Sequence, residues 1–122
     1  MSMELSLPGP DVPVIDETRL LEEFGGDQEI LNELRDLFLE HVPPLYTDIE
    51  QACNTGDKDA FAISIHSLKG ACATYGAPRL AMVCKEMEAR ARNGDMAAVK
   101  DAFEHLSREY QLVFEQIKGV GV

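Results

Sequence analysis

Apolar residues recur along this chain at three- and four-residue steps, the spacing that lines one face of a helix; strand alternation is absent at useful length. The first long run opens at Asp27, a residue suited to an N-cap. It continues through Leu31, Leu34, Phe38, Val42, Leu45, Ile49 and Ala52. Pro43-Pro44 falls inside this run, where the ring of Pro44 would crowd the carbonyl of Glu40. The pattern predicts either a kinked helix or two helices meeting, with the stripe kept on one side. Asn54-Thr55-Gly56 closes the run. A second helix is expected from Asp57, with Phe61, Ile65, Leu68, Cys72 and Tyr75 as its seam, ended by Gly76. Pro78 suits the first turn of a third helix carrying Leu80, Cys84, Met87 and Ala91. After Asn93-Gly94, Asp95 can cap a fourth, whose stripe is Val99, Phe103, Leu106, Tyr110, Val113 and Ile117.

The ends read differently. Residues 1–16 carry Pro8, Gly9, Pro10 and Pro13 and are expected to form a flexible tail or linker. Asp16 can cap a short helix over Thr18–Phe24, stopped by Gly25-Gly26 and lying across the larger elements. Residues 119–122 are expected to fray, which leaves 17–118 as the folded domain. Long amphipathic helices with short connections predict an all-α fold, an up-and-down antiparallel four-helix bundle with a short extra N-terminal helix.

Composition narrows the function classes. The 122 residues suffice for one core, and 45% of them are hydrophobic, too many for a disordered chain. No run is long and apolar enough for a membrane span, and the N-terminus lacks a basic-then-apolar leader, so a cytoplasmic setting is expected. A net charge of −11, from 22 acidic and 11 basic residues, weighs against nucleic acid and anionic membranes. Protein partners remain. Cys53, Cys72 and Cys84 form no CxxC pair and fall in or beside apolar stretches, where free thiols pack as small hydrophobes.

Of the three histidines, His41 and His105 adjoin apolar stripes without a recognisable set of partners. His66 differs. Successive helical residues turn by about 100°, so His66 leaves the flank of the second helix in the company of Asp59, Ala62, Lys69, Gly70 and Ala73. A mid-helix glycine costs roughly 1 kcal/mol relative to alanine. Two reasons could justify Gly70: clearance for approach to the imidazole, helped by Ala62 and Ala73, or close packing against a neighbouring helix. Neutral imidazole is a nucleophile near neutral pH and can form a covalent intermediate. Lys69, one turn on, can place a positive charge on the transferring oxygens.

His66-Ser67-Leu68-Lys69-Gly70 followed by Gly76-Ala77 resembles the H-x-L-K-G…G-A signature of histidine-containing phosphotransfer (HPt) domains. Cys84 with Met87-Glu88 is similar to the C-x-x-[LM]-E continuation in the next helix, and a looser likeness covers about residues 27–118. The resemblance implies a four-helix bundle with His66 as phosphoacceptor on its ring nitrogen farther from the backbone. It further implies Lys69 assisting the phosphoryl group, Gly70 giving clearance and Gly76 making the turn. Ala71 and Cys72 stand where many members carry small hydroxyl residues, so no hydroxyl contact to the phosphoryl group is expected from them.

The expected role is that of a phosphorelay intermediate without kinase activity of its own, since no glycine-rich nucleotide loop is present. His66 would accept a phosphoryl group from the aspartyl phosphate of a response-regulator receiver domain, or from a hybrid sensor histidine kinase, and pass it to another response regulator. No cofactor or metal of its own is expected; Mg²⁺ would belong to the receiver. The chain is expected to be a monomer. A docking module of the same fold that transfers nothing is the alternative. A di-iron bundle enzyme is disfavoured, because the residues three before His41, His66 and His105 are Phe38, Ile63 and Ala102 rather than glutamates.

Overall fold

Five helices account for nearly all of the computed structural model, which describes residues 11–120, with side chains to Ile117. They are α1 (Glu17–Phe24), α2 (Gln28–Thr55), α3 (Lys58–Tyr75), α4 (Pro78–Arg92) and α5 (Met96–Val120), and no strand occurs among the described residues. Each start has a local chemical cause. The Asp16, Asp27, Asp57 and Asp95 carboxylates accept hydrogen bonds from first-turn amides of α1, α2, α3 and α5. Helix α4 lacks a side-chain cap and begins instead on Pro78, which has no N–H to satisfy.

The two readings of Pro43-Pro44 resolve in favour of one element: α2 runs unbroken through both prolines. Pro44 lies on the exposed side, so the carbonyl its ring deprives of a partner can turn to water. The Thr47 hydroxyl donates to the Pro43 carbonyl at 3.2 Å in the same turn.

Helix α2 packs on α3 and α5, and α4 packs on the same two, so α2, α3, α4 and α5 close a ring around one core. Every seam residue expected of α3 and α4 is buried. Along α2 and α5 the stripe is buried at Phe38, Val42, Ile49, Ala52, Val99, Leu106, Val113 and Ile117, while Leu31, Leu34, Leu45, Phe103 and Tyr110 are half-buried. Full burial of each large aliphatic side chain stabilises by about 1.5–3 kcal/mol. Rings join the helices: Phe38 stacks on Tyr75 at 4.8 Å and Tyr46 on Tyr110 at 4.0 Å. Arg79 and Glu109 tie α4 to α5 through paired hydrogen bonds of 2.9 and 2.8 Å. All three cysteines are free and buried, and burial, reinforced by contact with Cys72, pushes the Cys84 thiol well up.

The expected tail boundary needs correction. Ile15 is buried, and the Asp16 amide donates to the Gly76 carbonyl at 2.7 Å, so the chain is anchored before α1 begins. Leu20 of α1 sits against the same turn, about where a Cβ on Gly76 would reach it. Residues 1–10 of the expected tail lie outside the described residues. At the other end α5 stays helical to Val120, two residues into the segment expected to fray and past Ile117, the last buried side chain among the described residues. Gly121 and Val122 lie outside the described residues.

Gly76 ends α3 with φ of 89°, in the left-handed region, while Gly70 lies in mid-helix with nothing within 4 Å of a built Cβ. Gly76→Ala should lower stability by about 1–2 kcal/mol, and Gly70→Ala should raise it by up to about 1 kcal/mol. Urea unfolding midpoints that move in the same direction for both would contradict this account of the two glycines.

Candidate functional site

His66 stands halfway along α3 on the side turned toward α4, with its side chain 61% exposed. Its seam neighbours Ile65 and Leu68 are fully buried, and they fix how the imidazole leaves the helix. From α4, the seam formed by Leu80, Cys84, Met87 and Ala91 carries Glu88 along its edge. That position brings the Glu88 carboxylate against α3, at only 7% side-chain exposure.

Three side chains converge on this carboxylate. The His66 ring meets Oε2 through Nδ1 at 3.0 Å. Lys69 Nζ donates to Oε1 at 2.7 Å. Arg92, one turn along α4, donates to Oε2 from Nε at 2.9 Å and from Nη2 at 2.7 Å. Burial alone would push the Glu88 carboxyl up, but hydrogen bonds from Lys69, Arg92 and His66 outweigh it and hold the group at about 2. Glu88 is therefore ionised at neutral pH.

An ionised carboxylate only accepts, so the contact with His66 requires the ring proton on Nδ1. In the neutral ring Nε2 is then the basic nitrogen, with its lone pair on the side away from Glu88. Orientation of a histidine by a carboxylate on its other nitrogen is a general device for choosing the tautomer and supporting charge that develops on the ring. The arrangement can hold a nucleophilic Nε2 at the surface beside two cationic side chains.

The other residues singled out from sequence divide. Lys69 and Gly70 lie where expected, and Gly70 is exposed with open space around it, so packing within this chain gives no reason for a glycine there. Ala73 is exposed as well. Ala62 is not on the cleared face: it is buried, because it lies nearer to the Phe61–Ile65 seam than His66 does. Gly76 makes the α3–α4 turn some distance from the imidazole along the helix. His41 is exposed and His105 half-buried, in keeping with surface and boundary positions. Among the basic residues of α4, Arg92 joins the His66 cluster, Arg79 faces α5 and Glu109, Arg90 is buried, and Lys85 is exposed. Among the described residues no group of His, Cys, Asp and Glu is arranged to hold a metal ion, and no helix is long and apolar enough to cross a membrane.

Glu88 and Arg92 are the site residues that sequence reasoning left without a role. The signal for Glu88 was present in the C-x-x-M-E likeness; its function depends on a contact 22 residues away along the chain. The family model for the Hpt domain matches residues 33–116. No curated protein and no solved structure matches the chain.

Two outcomes follow from the carboxylate. Its folded pKa of about 2 lies below the ordinary 4.5, so its contribution to stability is complete above pH 4.5 and is lost as pH falls toward 2. The unfolding free-energy gap between wild type and Glu88→Gln should shrink over that window by at most about 3 kcal/mol, less the screening by solvent at the exposed Arg92. A gap that stays constant with pH would refute the coupling. Nitrogen NMR of the neutral ring should find Nδ1 protonated in wild type and a shift toward the Nε2-protonated tautomer in Glu88→Ala; equal tautomer populations in the two proteins would show that Glu88 does not orient the ring.

Proposed function

The chain belongs to the Hpt domain family, and from that membership we propose that it is a phosphorelay intermediate carrying its phosphoryl group on His66. Hpt domains act in phosphotransfer within two-component systems, with receiver and kinase domains as partners. The observation that carries the assignment to His66 is the Nδ1 contact with an ionised Glu88, which leaves Nε2 as the nucleophile on an exposed ring.

In the proposed reaction a receiver domain presents an aspartyl phosphate together with its own Mg²⁺. Nε2 attacks phosphorus in line, the N–P bond forms, and the P–O bond to the aspartate breaks, returning a free carboxylate to the receiver. The ring becomes positive in the process. Glu88 accepts from Nδ1–H throughout and balances that charge, so it acts as a positioning residue rather than as a base. Lys69 and Arg92 stand ready to meet the phosphoryl oxygens by exchanging one acceptor for another. Gly70 and Ala73 keep the approach open. The reverse sequence hands the group to a second response regulator.

The remaining parts of the reading rest on the same architecture. The ring of α2, α3, α4 and α5 with short turns supports an up-and-down antiparallel four-helix bundle, with α1 as the addition. Its buried seams satisfy one another within one chain, which supports a monomer. A cytoplasmic setting and the lack of autonomous kinase activity accord with a carrier that depends on its partners for chemistry.

Incubation with a phosphorylated receiver domain and Mg²⁺ should label wild type with acid-labile, base-stable phosphate and leave folded His66→Gln unlabelled. Wild type left unlabelled by a range of receivers would turn the assignment toward a docking module that transfers nothing.

A further inference from the structure

The face shared by α2 and α3 is indented at two levels. Asp48, Gln51, Asp57 and Ile63 wall one indentation; Leu37, His41, Gly70 and Thr74 wall the other. In sequence along α3, His66 falls between Ile63 of the first and Gly70 of the second. Ile63 is 69% exposed and Leu37 50% exposed, large aliphatic side chains left in water on this face.

Charge around this face is sorted by side. Glu33 and Glu40 sit one turn before and one turn after Leu37, so both flank it on the outer face of α2, and both are exposed. Asp48 continues the acidic edge. The basic side chain of α2, Arg35, is drawn to Asp36 at 3.5 Å and is largely covered. Across His66, toward α4, the charges are Lys69 and Arg92 around a buried carboxylate. The face is anionic along α2 and cationic toward α4.

We infer that this face selects among receiver domains by charge, accepting those whose surface beside the phosphoacceptor aspartate presents an apolar residue flanked by Lys or Arg. The inference rests on the proposed transfer role and adds to it the chemistry of the partner. Burial of Leu37 and Ile63 gives the contact its apolar centre, while the acidic edge speeds encounter and fixes which way round the partner docks. A receiver with an acidic flank would meet Glu33 and Glu40 directly, and unpaired like charges reject a wrong partner more effectively than missing contacts do.

The test uses a panel of purified receiver domains that differ in charge around their phosphoacceptor aspartate. Binding is read by fluorescence anisotropy on His66→Gln, and transfer kinetics are read on protein with His66 intact. Affinity should rank with the number of Lys and Arg on the receiver face. Adding Glu33→Lys and Glu40→Lys together should weaken binding to basic-faced receivers by about tenfold, raise KM with kcat retained, and flatten the dependence on salt. The charge-matched pair Asp101→Lys and Glu115→Lys on α5 should leave these values near their starting level. Equal weakening by both pairs would mean that only net charge matters and would overturn the inference, as would affinities unrelated to receiver charge or no binding by any basic-faced receiver. Ranked binding without labelling of His66 would overturn the transfer role and leave the charge selection standing.

Discussion

A single buried carboxylate organises this molecule's chemistry. Removing a carboxylate from water costs several kcal/mol unless its oxygens find donors, and at 7% side-chain exposure Glu88 finds them on His66, Lys69 and Arg92. Two of those donors belong to α3 and one to α4. The pairing therefore demands a particular register between the helices, and the turn between them supplies it. Gly76 takes the left-handed conformation that ends α3, and the Asp16 amide caps its carbonyl from outside the hairpin. The apolar seam, the turn, the carboxylate and the imidazole tautomer form one chain of dependence.

This arrangement reconciles two requirements that oppose each other. A phosphocarrier must expose its nucleophile, because the donor and acceptor are other proteins. An exposed side chain, however, explores rotamers and tautomers freely. Here the ring is 61% exposed while Nδ1, its nitrogen nearer the backbone, is tied to a group that is almost fully covered. Exposure belongs to Nε2 and order to Nδ1. The neighbouring residues follow the same division, with Gly70 and Ala73 open to approach and Ile65 and Leu68 fixed in the core.

Much of this was legible in the sequence, because helical periodicity reports directly on which face is covered. Phe61, Ile65, Leu68, Cys72 and Tyr75 are all buried as their spacing implied, and the aspartates before α1, α2 and α5 cap as their positions implied, while Asp57, expected as the first residue of its helix, caps α3 from just outside it. The unbroken path of α2 was not legible, since proline chemistry alone cannot tell whether the freed carbonyl faces core or water. Ala62 was misplaced for a related reason: it lies near the border of a stripe, where a small residue suits either side. Glu88 was the larger omission. A glutamate beside Met87 reads as a solvated edge residue, and nothing local reveals that another helix will close over it. Pairwise contacts between helices are the information that periodicity lacks.

The net charge of −11 shows why global and local electrostatics must be kept apart. At physiological ionic strength charges more than about 8 Å away are largely screened where solvent lies between them. The acids of α2's outer face and of α5 therefore contribute little at Nε2. Close to the ring the count is two cations, Lys69 and Arg92, against the one anion they share. A phosphoryl group arriving there meets a weakly positive pocket within a strongly negative protein. Glu88 lowers the positive charge of that pocket and also keeps it in place, since without an anion between them Lys69 and Arg92 would repel each other into solvent. The carboxylate that reduces attraction for the phosphoryl group is what holds the attracting groups in position.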